Sequence, residues 1–141
     1  MSNPAAIRRG TPADLAAVAA IQSASPEAAQ WDVAGYLECE FRVAIAGNSI
    51  AGFAVWRDVA ADEREILNLA VSPDFRRKGV GRALLSAALN GFSGSVFLEV
   101  RASNRTAQEF YKSLNFKPIA ARDNYYSTPP EAAIVMKFHS C

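Results

Sequence analysis

The chain has 141 residues, half of them hydrophobic, and its 15 Lys and Arg against 14 Asp and Glu leave a net charge of +1. This length predicts a single domain over residues 1–141 with a proper hydrophobic core, and the balanced charge excludes whole-surface attraction to nucleic acid or membrane, so neither is expected as a partner. Because we find no apolar run that could span a bilayer, no secretory signal, and only two cysteines and one histidine, we expect a cytoplasmic protein without a disulfide framework or a metal site.

The first third of the chain favours one short strand followed by two helices. Residues 6–10 are predicted to form the strand. Pro12 at a first helical position and apolar residues at helical spacing predict a helix over residues 11–25. A second helix is predicted over residues 26–39, although Gly35 lies inside it.

The middle of the chain favours three strands and a helix. Residues 41–48 and 49–59 flank a Gly-Asn-Ser turn and predict a hairpin, and residues 63–73 predict a third strand. Residues 80–92 carry apolar side chains along one stripe and therefore predict a helix.

In the last third of the chain, a strand is predicted over residues 95–101 and a helix over residues 104–115. Two final strands are predicted over residues 117–127 and 132–138. The resulting order, β-α-α-β-β-β-α-β-α-β-β, predicts an α/β fold with a central mixed, mostly antiparallel sheet of about seven strands flanked by about four helices. The strands before and after the helix over residues 80–92 should be parallel, because their connection is a crossover.

A run of positive charge and glycine, RRKGVGR, lies between the third strand and the next helix. The first turn of a helix offers unpaired N–H groups and a positive dipole end, and Gly79 and Gly81 let the backbone approach an anion closely, so a phosphate or pyrophosphate would suit this loop. The loop is not a P-loop, since Arg82 and Ala83 follow Gly81, nor a dinucleotide fingerprint, since Leu84 replaces a small residue. An ordinary loop with a solvated charge run is the alternative.

The segment LNLAVSPDFRRKGVGRALL resembles the signature of the GCN5-related N-acetyltransferases, the GNAT family, whose loop pattern Arg/Gln-x-x-Gly-x-Gly/Ala corresponds to residues 76–81. The segments LEVRASNRTAQEFYKSLNF and RDNYYSTPPEAAIVM are similar to the RimI-type branch of that family, which acetylates the N-terminal alanine of a ribosomal protein. The resemblance implies a GNAT fold and acetyl-coenzyme A (acetyl-CoA) as cosubstrate, whose pyrophosphate would be the bound anion. It also implies which residues contact acetyl-CoA: Leu69, Ala70, Val71, Arg76, Arg77, Lys78, Gly79, Val80, Gly81, Arg82 and Asn104.

Glu99 is the first candidate for the chemistry. In the strand SVFLEVR it shares a face with Phe97 and Arg101, while the valines and the leucine share the other face. A solvent-facing carboxylate paired with Arg101 would explain this pattern without any catalytic role. The resemblance implies instead that Glu99 is the catalytic glutamate, which assists deprotonation of the acceptor amine.

Further residues become candidates through the same resemblance. Tyr111 would be the general acid that protonates the departing thiolate; otherwise it is a tyrosine at the edge of the core with its hydroxyl in water. Tyr125 and Tyr126 would line the acceptor channel, unless they serve only strand packing. Glu131 would attract a positively charged peptide terminus. Trp31 is a further candidate to approach the acceptor, but its neighbourhood is not similar to the family, so a place in the core is favoured.

These features predict an enzyme that transfers an acetyl group from acetyl-CoA directly to an amine, in a ternary complex. The favoured acceptor is the N-terminal α-amine of a protein, such as a ribosomal protein, because its pKa of about 7.7–8.0 lets a modest base deprotonate it. A small amine or a lysine side chain is the alternative acceptor. A module that senses acetyl-CoA without turnover is the alternative from another class, although it would need neither Glu99 nor Tyr111.

Overall fold

Seven strands and three α-helices alternate along the residues that the computed structural model describes, which are 5–127 and 130–140. Their bounds in chain order are β1 Ala6–Arg9, α1 Leu15–Ser23, β2 Glu40–Ala46, β3 Ser49–Ala60, β4 Glu63–Val71, α2 Val80–Leu89, β5 Gly94–Arg101, α3 Arg105–Ser113, β6 Lys117–Ser127 and β7 Pro130–Ser140. Short 3₁₀ helices occupy Pro12–Asp14, Val33–Glu38 and Pro73–Phe75. Within the described ranges, no helix has the length and apolar character needed to cross a bilayer.

The strands are hydrogen-bonded in the order β1-β2-β3-β4-β5-β7-β6. The pairs β1–β2, β2–β3, β5–β7 and β6–β7 are antiparallel, whereas β4–β5 is parallel. The predicted mixed, mostly antiparallel sheet of an α/β fold is thus confirmed, as is the parallel pair on either side of α2. The predicted four helices correspond to the three α-helices and the 3₁₀ helix at Val33–Glu38.

The chain folds as two compact units, each of which takes part of β3 and part of β4. The first unit comprises the described residues 5–57 and 67–91, and the second comprises 58–66 and the described residues from 92 onward. The single domain over residues 1–141 stays a prediction.

In the first unit, α1 and α2 cover opposite faces of β2 and β3. One face contributes to the core cluster Val18, Ile21, Tyr36, Phe41, Val43, Phe53, Val55 and Ala70. On the other face Gly52 leaves room for α2, because a Cβ at Gly52 would lie 2.8 Å from the Ala70 carbonyl oxygen and 3.2 Å from Val80 Cγ1. The close approach of α2 to β3 therefore requires a residue without a side chain at this position.

In the second unit, β5 separates a buried face from a polar face. Its buried residues are Val96, Leu98 and Val100, and the half-buried residues between them are Phe97, Glu99 and Arg101, as the alternation in the sequence predicts. The α3 helix packs on the buried face, since the Tyr111 ring contacts Phe116, Phe116 contacts Phe138, and Phe138 pairs with Val96. The other face of β5 therefore carries the charged side chains.

The chain between α1 and β2 differs from the helix predicted over residues 26–39. Only Val33–Glu38 is helical, as a 3₁₀ helix capped by Asp32, whose carboxylate accepts a backbone N–H at 3.1 Å. Before it, the Gln30 amide donates to three backbone carbonyl oxygens at 3.0–3.2 Å. Such side-chain bonds offer the backbone an alternative to the helix, which explains why the predicted helix does not form.

Candidate active site

The loop between β4 and α2 passes through left-handed backbone conformations. Arg77 has a φ of 63° and Gly79, the N-cap of α2, has a φ of 82°. The Ala83 N–H donates to the Gly79 carbonyl oxygen at 3.0 Å, which is the first hydrogen bond of the helix. The N–H groups of Val80 and Gly81 lie before it in the chain and therefore have no acceptor within the helix. Apart from its two chain neighbours, no described residue has an atom within 4 Å of where a Gly79 Cβ would stand. Successive N–H groups in such an open turn form a concave site for an anion.

The positive side chains of this loop are not equivalent. All four are exposed: Arg76, Arg77, Lys78 and Arg82. Arg76 differs in that it binds its own chain, because Nε donates to the Val71 carbonyl oxygen and Nη2 donates to Ser25 Oγ, at 3.2 Å each. Arg77, Lys78 and Arg82 are therefore placed to contact an anion, whereas Arg76 stabilises the conformation of the loop.

Asn68 on β4 is a buried polar residue whose role the sequence pattern did not reveal. Its Nδ2 donates to the Ala29 carbonyl oxygen at 2.9 Å and, at 3.1 Å each, to Gln22 Oε1 and the Tyr36 hydroxyl. Its Oδ1 accepts the Leu69 N–H at 3.0 Å. An asparagine within an apolar strand is a signal for such a role, because asparagine is seldom fully buried.

The same network fastens the loop that follows α1. The Tyr36 hydroxyl donates to Gln22 Oε1, and Gln22 Nε2 donates to the Trp31 carbonyl oxygen at 2.7 Å. Burial raises the pKa of Tyr36, and the hydrogen bond from Asn68 opposes this effect. Trp31 is 54% exposed, so its expected place in the core is wrong. The network anchors the Trp31 carbonyl and not its ring.

The β4 residues predicted to contact acetyl-CoA use some of their backbone N–H and carbonyl groups for contacts within the protein. The Leu69 N–H is bonded to its neighbour Asn68, and the Val71 carbonyl oxygen accepts a hydrogen bond from Arg76. The Ala70 carbonyl oxygen lies against Gly52. A ligand that uses the Leu69 N–H would therefore have to displace the asparagine oxygen.

Glu99 projects from the polar face of β5 and accepts hydrogen bonds from two residues of β6. Arg122 Nη1 lies 2.5 Å from Glu99 Oε1, and the Tyr125 hydroxyl also donates to the Glu99 carboxylate. This hydrogen bond first, and partial burial second, raise the pKa of Tyr125 to about 12. The Glu99 side chain is 19% exposed. Its ion-pair partner is thus Arg122 and not the neighbouring Arg101.

Small side chains on β7 allow this pairing across the sheet. Glu99 is paired with Val135 and Arg101 with Ala133, and Ala133 is paired in turn with Arg122. Directly paired residues project from the same face, so the long side chains of β5 and β6 can meet above β7. The pairing of β6 becomes irregular directly after Arg122, which redirects the side chains that follow.

Arg101 and Glu131 form a second ion pair on the same face. Arg101 Nη1 lies 3.4 Å from Glu131 Oε1, and the Ser103 N–H donates to Glu131 Oε2 at 2.5 Å. Hydrogen bonds from Ser103 first, and then from Arg101, lower the pKa of Glu131. The Arg101 guanidinium also lies 4.1 Å from the centre of the Tyr126 ring. Glu131, predicted to attract the acceptor, is therefore bound within the protein, and Tyr126 lies beside it.

Tyr111 of α3 is buried, with 8% of its surface exposed. Burial raises the pKa of Tyr111 well above its ordinary range, and the nearby Tyr126 raises it further. In the part of the chain that the structure describes, no group accepts a hydrogen bond from the Tyr111 hydroxyl. The ring lies on the buried face of β5, so the structure does not bring Tyr111 into contact with Glu99.

Asn104, the remaining predicted contact of acetyl-CoA, begins α3. Its Oδ1 accepts the Ala107 N–H at 3.1 Å and so caps the helix, which leaves the amide nitrogen for a ligand. Among the described residues, no group of three or more His, Cys, Asp and Glu side chains could hold a metal ion.

The chain is similar to known acetyltransferases in its sequence and in its fold. Residues 14–116 match the profile of the Acetyltransferase (GNAT) family. The [ribosomal protein bS18]-alanine N-acetyltransferase of Escherichia coli strain K12 is 42% identical over 93 residues, a match that spans 62% of this chain and 62% of that relative's length.

Two solved structures are similar over nearly the whole fold. Ard1 from Thermoplasma volcanium superposes with a TM-score of 0.87 and 33% identity, covering 99% of each chain. The ribosomal-protein-S18-alanine N-acetyltransferase from Escherichia coli superposes with a TM-score of 0.81 and 30% identity, covering 96% of this chain and 94% of that one. The family profile and these similarities, together with the Gly-rich turn that begins α2, show that the chain belongs to the GNAT acetyltransferase family.

Proposed function

We propose that this protein transfers an acetyl group from acetyl-CoA to the N-terminal α-amine of a protein, and that an N-terminal alanine of a ribosomal protein is a representative acceptor. The observation that carries the proposal is the open turn at residues 77–81, whose N–H groups and exposed cations suit a diphosphate in a chain of this family. The similarity to a bS18-alanine N-acetyltransferase supports the choice of acceptor.

The residues of the turn would hold acetyl-CoA through its diphosphate. The N–H groups of the turn and of the first turn of α2 would bind the phosphate oxygens, and Arg77, Lys78 and Arg82 would balance their charge. When bound, acetyl-CoA supplies an activated acyl group as a thioester. The amide nitrogen of Asn104 can donate to it, because only the amide oxygen serves the helix cap.

Glu99 would accept the proton that the acceptor amine must lose, directly or through one water. An α-amine with a pKa of about 7.7–8.0 is already partly neutral at pH 7, so a carboxylate suffices as the base. Tyr111 would protonate the leaving thiolate. Its raised pKa keeps the phenol protonated at neutral pH, and its hydroxyl has no acceptor among the described residues. The proposed transfer is direct, because the candidate residues include no serine or cysteine nucleophile.

The test is release of the CoA thiol in the presence of three acceptors. The first is a peptide with a free N-terminal alanine and one internal lysine, the second is the same peptide with its α-amine blocked, and the third is a set of small amines. We expect thiol release with the first peptide alone. Release with the blocked peptide or with small amines alone would contradict the proposed acceptor. Binding of acetyl-CoA without release in any mixture would identify a sensing module.

A further inference from the structure

The backbone groups of Leu69 and Val71 point away from β3. The Ser72 N–H donates to the Ala51 carbonyl oxygen of β3 at 2.7 Å, and the backbone groups of successive strand residues alternate in direction. Among the described pairs, β5 is bonded to β4 only at Glu63–Glu65. Leu69 and Val71 therefore offer an edge of β4 on which a ligand can form strand-like hydrogen bonds.

Side chains of the protein already bind both residues at this edge. Asn68 Oδ1 accepts the Leu69 N–H at 3.0 Å, and Arg76 Nε donates to the Val71 carbonyl oxygen at 3.2 Å. A carbonyl oxygen can accept a second hydrogen bond, whereas an N–H group has a single hydrogen. A ligand can therefore share the Val71 oxygen with Arg76, but it competes with Asn68 for the Leu69 N–H.

The side-chain amide of Asn68 joins this edge to the chain that follows α1. Its Nδ2 donates to the Ala29 carbonyl oxygen at 2.9 Å, and also to Gln22 Oε1. Gln22 Nε2 in turn donates to the Trp31 carbonyl oxygen at 2.7 Å. Because Oδ1 and Nδ2 belong to one rigid amide in a buried position, Oδ1 cannot leave the Leu69 N–H without moving Nδ2 against Ala29. A change at the edge of β4 is therefore transmitted to residues 29–31.

We propose that Asn68 is a positioning residue that couples the binding of acetyl-CoA on β4 to the conformation of residues 29–31. This inference rests on the proposed function and on the predicted contact between acetyl-CoA and Leu69. A carbonyl oxygen of acetyl-CoA, from the thioester or from an amide of its pantetheine arm, takes the Leu69 N–H and displaces Asn68 Oδ1. The asparagine amide then shifts, and the backbone that carries the Trp31 ring moves with it. Since Trp31 is 54% exposed, the surroundings of its ring change in the same step.

The first measurement is the fluorescence of Trp31 during titration with acetyl-CoA. Trp31→Phe isolates the signal, because the second tryptophan, Trp56, is buried and remains in that variant. We expect acetyl-CoA to change the Trp31 emission of the wild type, and Asn68→Ala to lose this change. Tyr36→Phe is the matched control, because it removes a hydroxyl from the same network but leaves both backbone contacts of Asn68 in place, so it should keep the response.

CoA without the acetyl group is the second titrant in the same experiment. It keeps the amides of the pantetheine arm but lacks the thioester carbonyl. An equal response to both ligands assigns the Leu69 N–H to a pantetheine amide, whereas a response to acetyl-CoA alone assigns it to the thioester.

The second measurement is the Kd of acetyl-CoA, obtained by calorimetric titration. Because Asn68 competes with the ligand, Asn68→Ala should bind acetyl-CoA about threefold to tenfold more tightly than the wild type does, the gain of one hydrogen bond that no longer has to be displaced. An asparagine that only stabilised the fold would give weaker binding when removed.

Two results would overturn the assignment. One is a wild type whose Trp31 emission does not respond to saturating acetyl-CoA, an outcome that needs no variant. The other is an Asn68→Ala variant with an undiminished response or with an unchanged or raised Kd. If acetyl-CoA binds with the expected responses but no acceptor produces thiol release, the proposed function alone is refuted. If acetyl-CoA does not bind at all, both are refuted.

Discussion

At the scale of single residues, the chemistry proposed here depends most on Glu99. Glu99→Gln keeps the shape of the side chain and an oxygen for the Tyr125 hydroxyl, but removes the base. We expect kcat for an alanine-terminated peptide to fall by about a hundredfold or more, while the Kd of acetyl-CoA changes little. Steady-state kinetics and calorimetric titration measure the two quantities.

Glu109→Gln provides the control, because Glu109 is exposed on α3 and pairs only with Lys112 among the described residues, at 3.6 Å. It should leave kcat within about twofold of the wild type, since an exposed ion pair contributes little. An undiminished kcat in Glu99→Gln would remove Glu99 from the mechanism.

Asn68 is the residue on which the packing of the first unit depends. Asn68→Ala would leave the buried Tyr36 hydroxyl, Gln22 amide and Ala29 carbonyl oxygen each short of a partner. We expect the free energy of unfolding to fall by about 1–3 kcal/mol in urea titrations. The exposed Asn90→Ala should cost no more than about 0.5 kcal/mol. Equal effects of the two variants would show that the network does not stabilise the fold.

The sequence predicted where Glu99 points but not what it binds. The two-residue period of β5 is a local property, so the face of Glu99 could be read from its neighbours. The pairing with Arg122 depends on the register of β6 against β7, which no local pattern encodes. The anchoring of Trp31 escaped prediction for the same reason, because it depends on Gln22, which lies nine residues away.

At the scale of elements, the position of α2 depends on Gly52 of β3. In Gly52→Ala the new Cβ would press on the Ala70 carbonyl oxygen and on Val80, and the backbone oxygen cannot move cheaply. We expect a loss of about 1–3 kcal/mol in the free energy of unfolding. Because Ala70 and Val80 belong to the proposed binding region, we also expect weaker binding of acetyl-CoA in calorimetric titrations.

Gly35→Ala is the matched control for this element, since no atom of the described residues outside its own short helix lies within 4 Å of where a Cβ at Gly35 would stand. This variant should be neutral or stabilise the protein by up to about 1 kcal/mol, through the unfolded chain. If Gly52→Ala proves as harmless as Gly35→Ala, the close packing of α2 on β3 is not as described.

Most elements could be predicted because their signals are local, as the turn at Gly79 and the alternation in β5 illustrate. The helix predicted over residues 26–39 was the exception. The side chains of Asp32 and Gln30 take over backbone hydrogen bonds there, and their geometry arises only when the loop is folded. Helical spacing alone could not reveal this competition.

At the scale of the whole molecule, stability should depend on pH through Asp14, which is buried beside Arg8. The hydrogen bond from Arg8 first, and hydrogen bonds from Thr11 as well, hold the pKa of the Asp14 carboxyl well below its usual range. A lowered pKa means that the folded state binds the proton less readily than the unfolded chain. The Asp14 carboxylate therefore contributes fully to the free energy of unfolding above about pH 4, and this contribution is lost as the pH falls further.

Asp14→Asn should lower the free energy of unfolding by about 1.5–3 kcal/mol at pH 7. In urea titrations the difference from the wild type should be smaller at pH 3 than at pH 7. Asp74→Asn is the control, because Asp74 is exposed and has no ion pair among the described residues. A difference between wild type and Asp14→Asn that stays constant with pH would contradict the role assigned to the ion pair with Arg8.

The architecture of the whole chain was more predictable than its site. The order of strands and helices, with the motif at residues 76–81, implied a mixed sheet with one parallel pair, and the strand pairing confirms both. The ion-pair partners of Glu99, Glu131 and Arg76, which are Arg122, Arg101 and Glu27, were not predictable, because each ion pair joins segments that are distant in the sequence.

The most direct test of the account is a crystal structure with a conjugate of CoA and an alanine-terminated peptide. We predict diphosphate oxygens about 3 Å from main-chain nitrogens of residues 77–81, and the Glu99 carboxylate within hydrogen-bonding reach of the peptide's α-nitrogen, directly or through one water. A diphosphate bound away from this turn, or a Glu99 carboxylate directed away from that nitrogen, would contradict it.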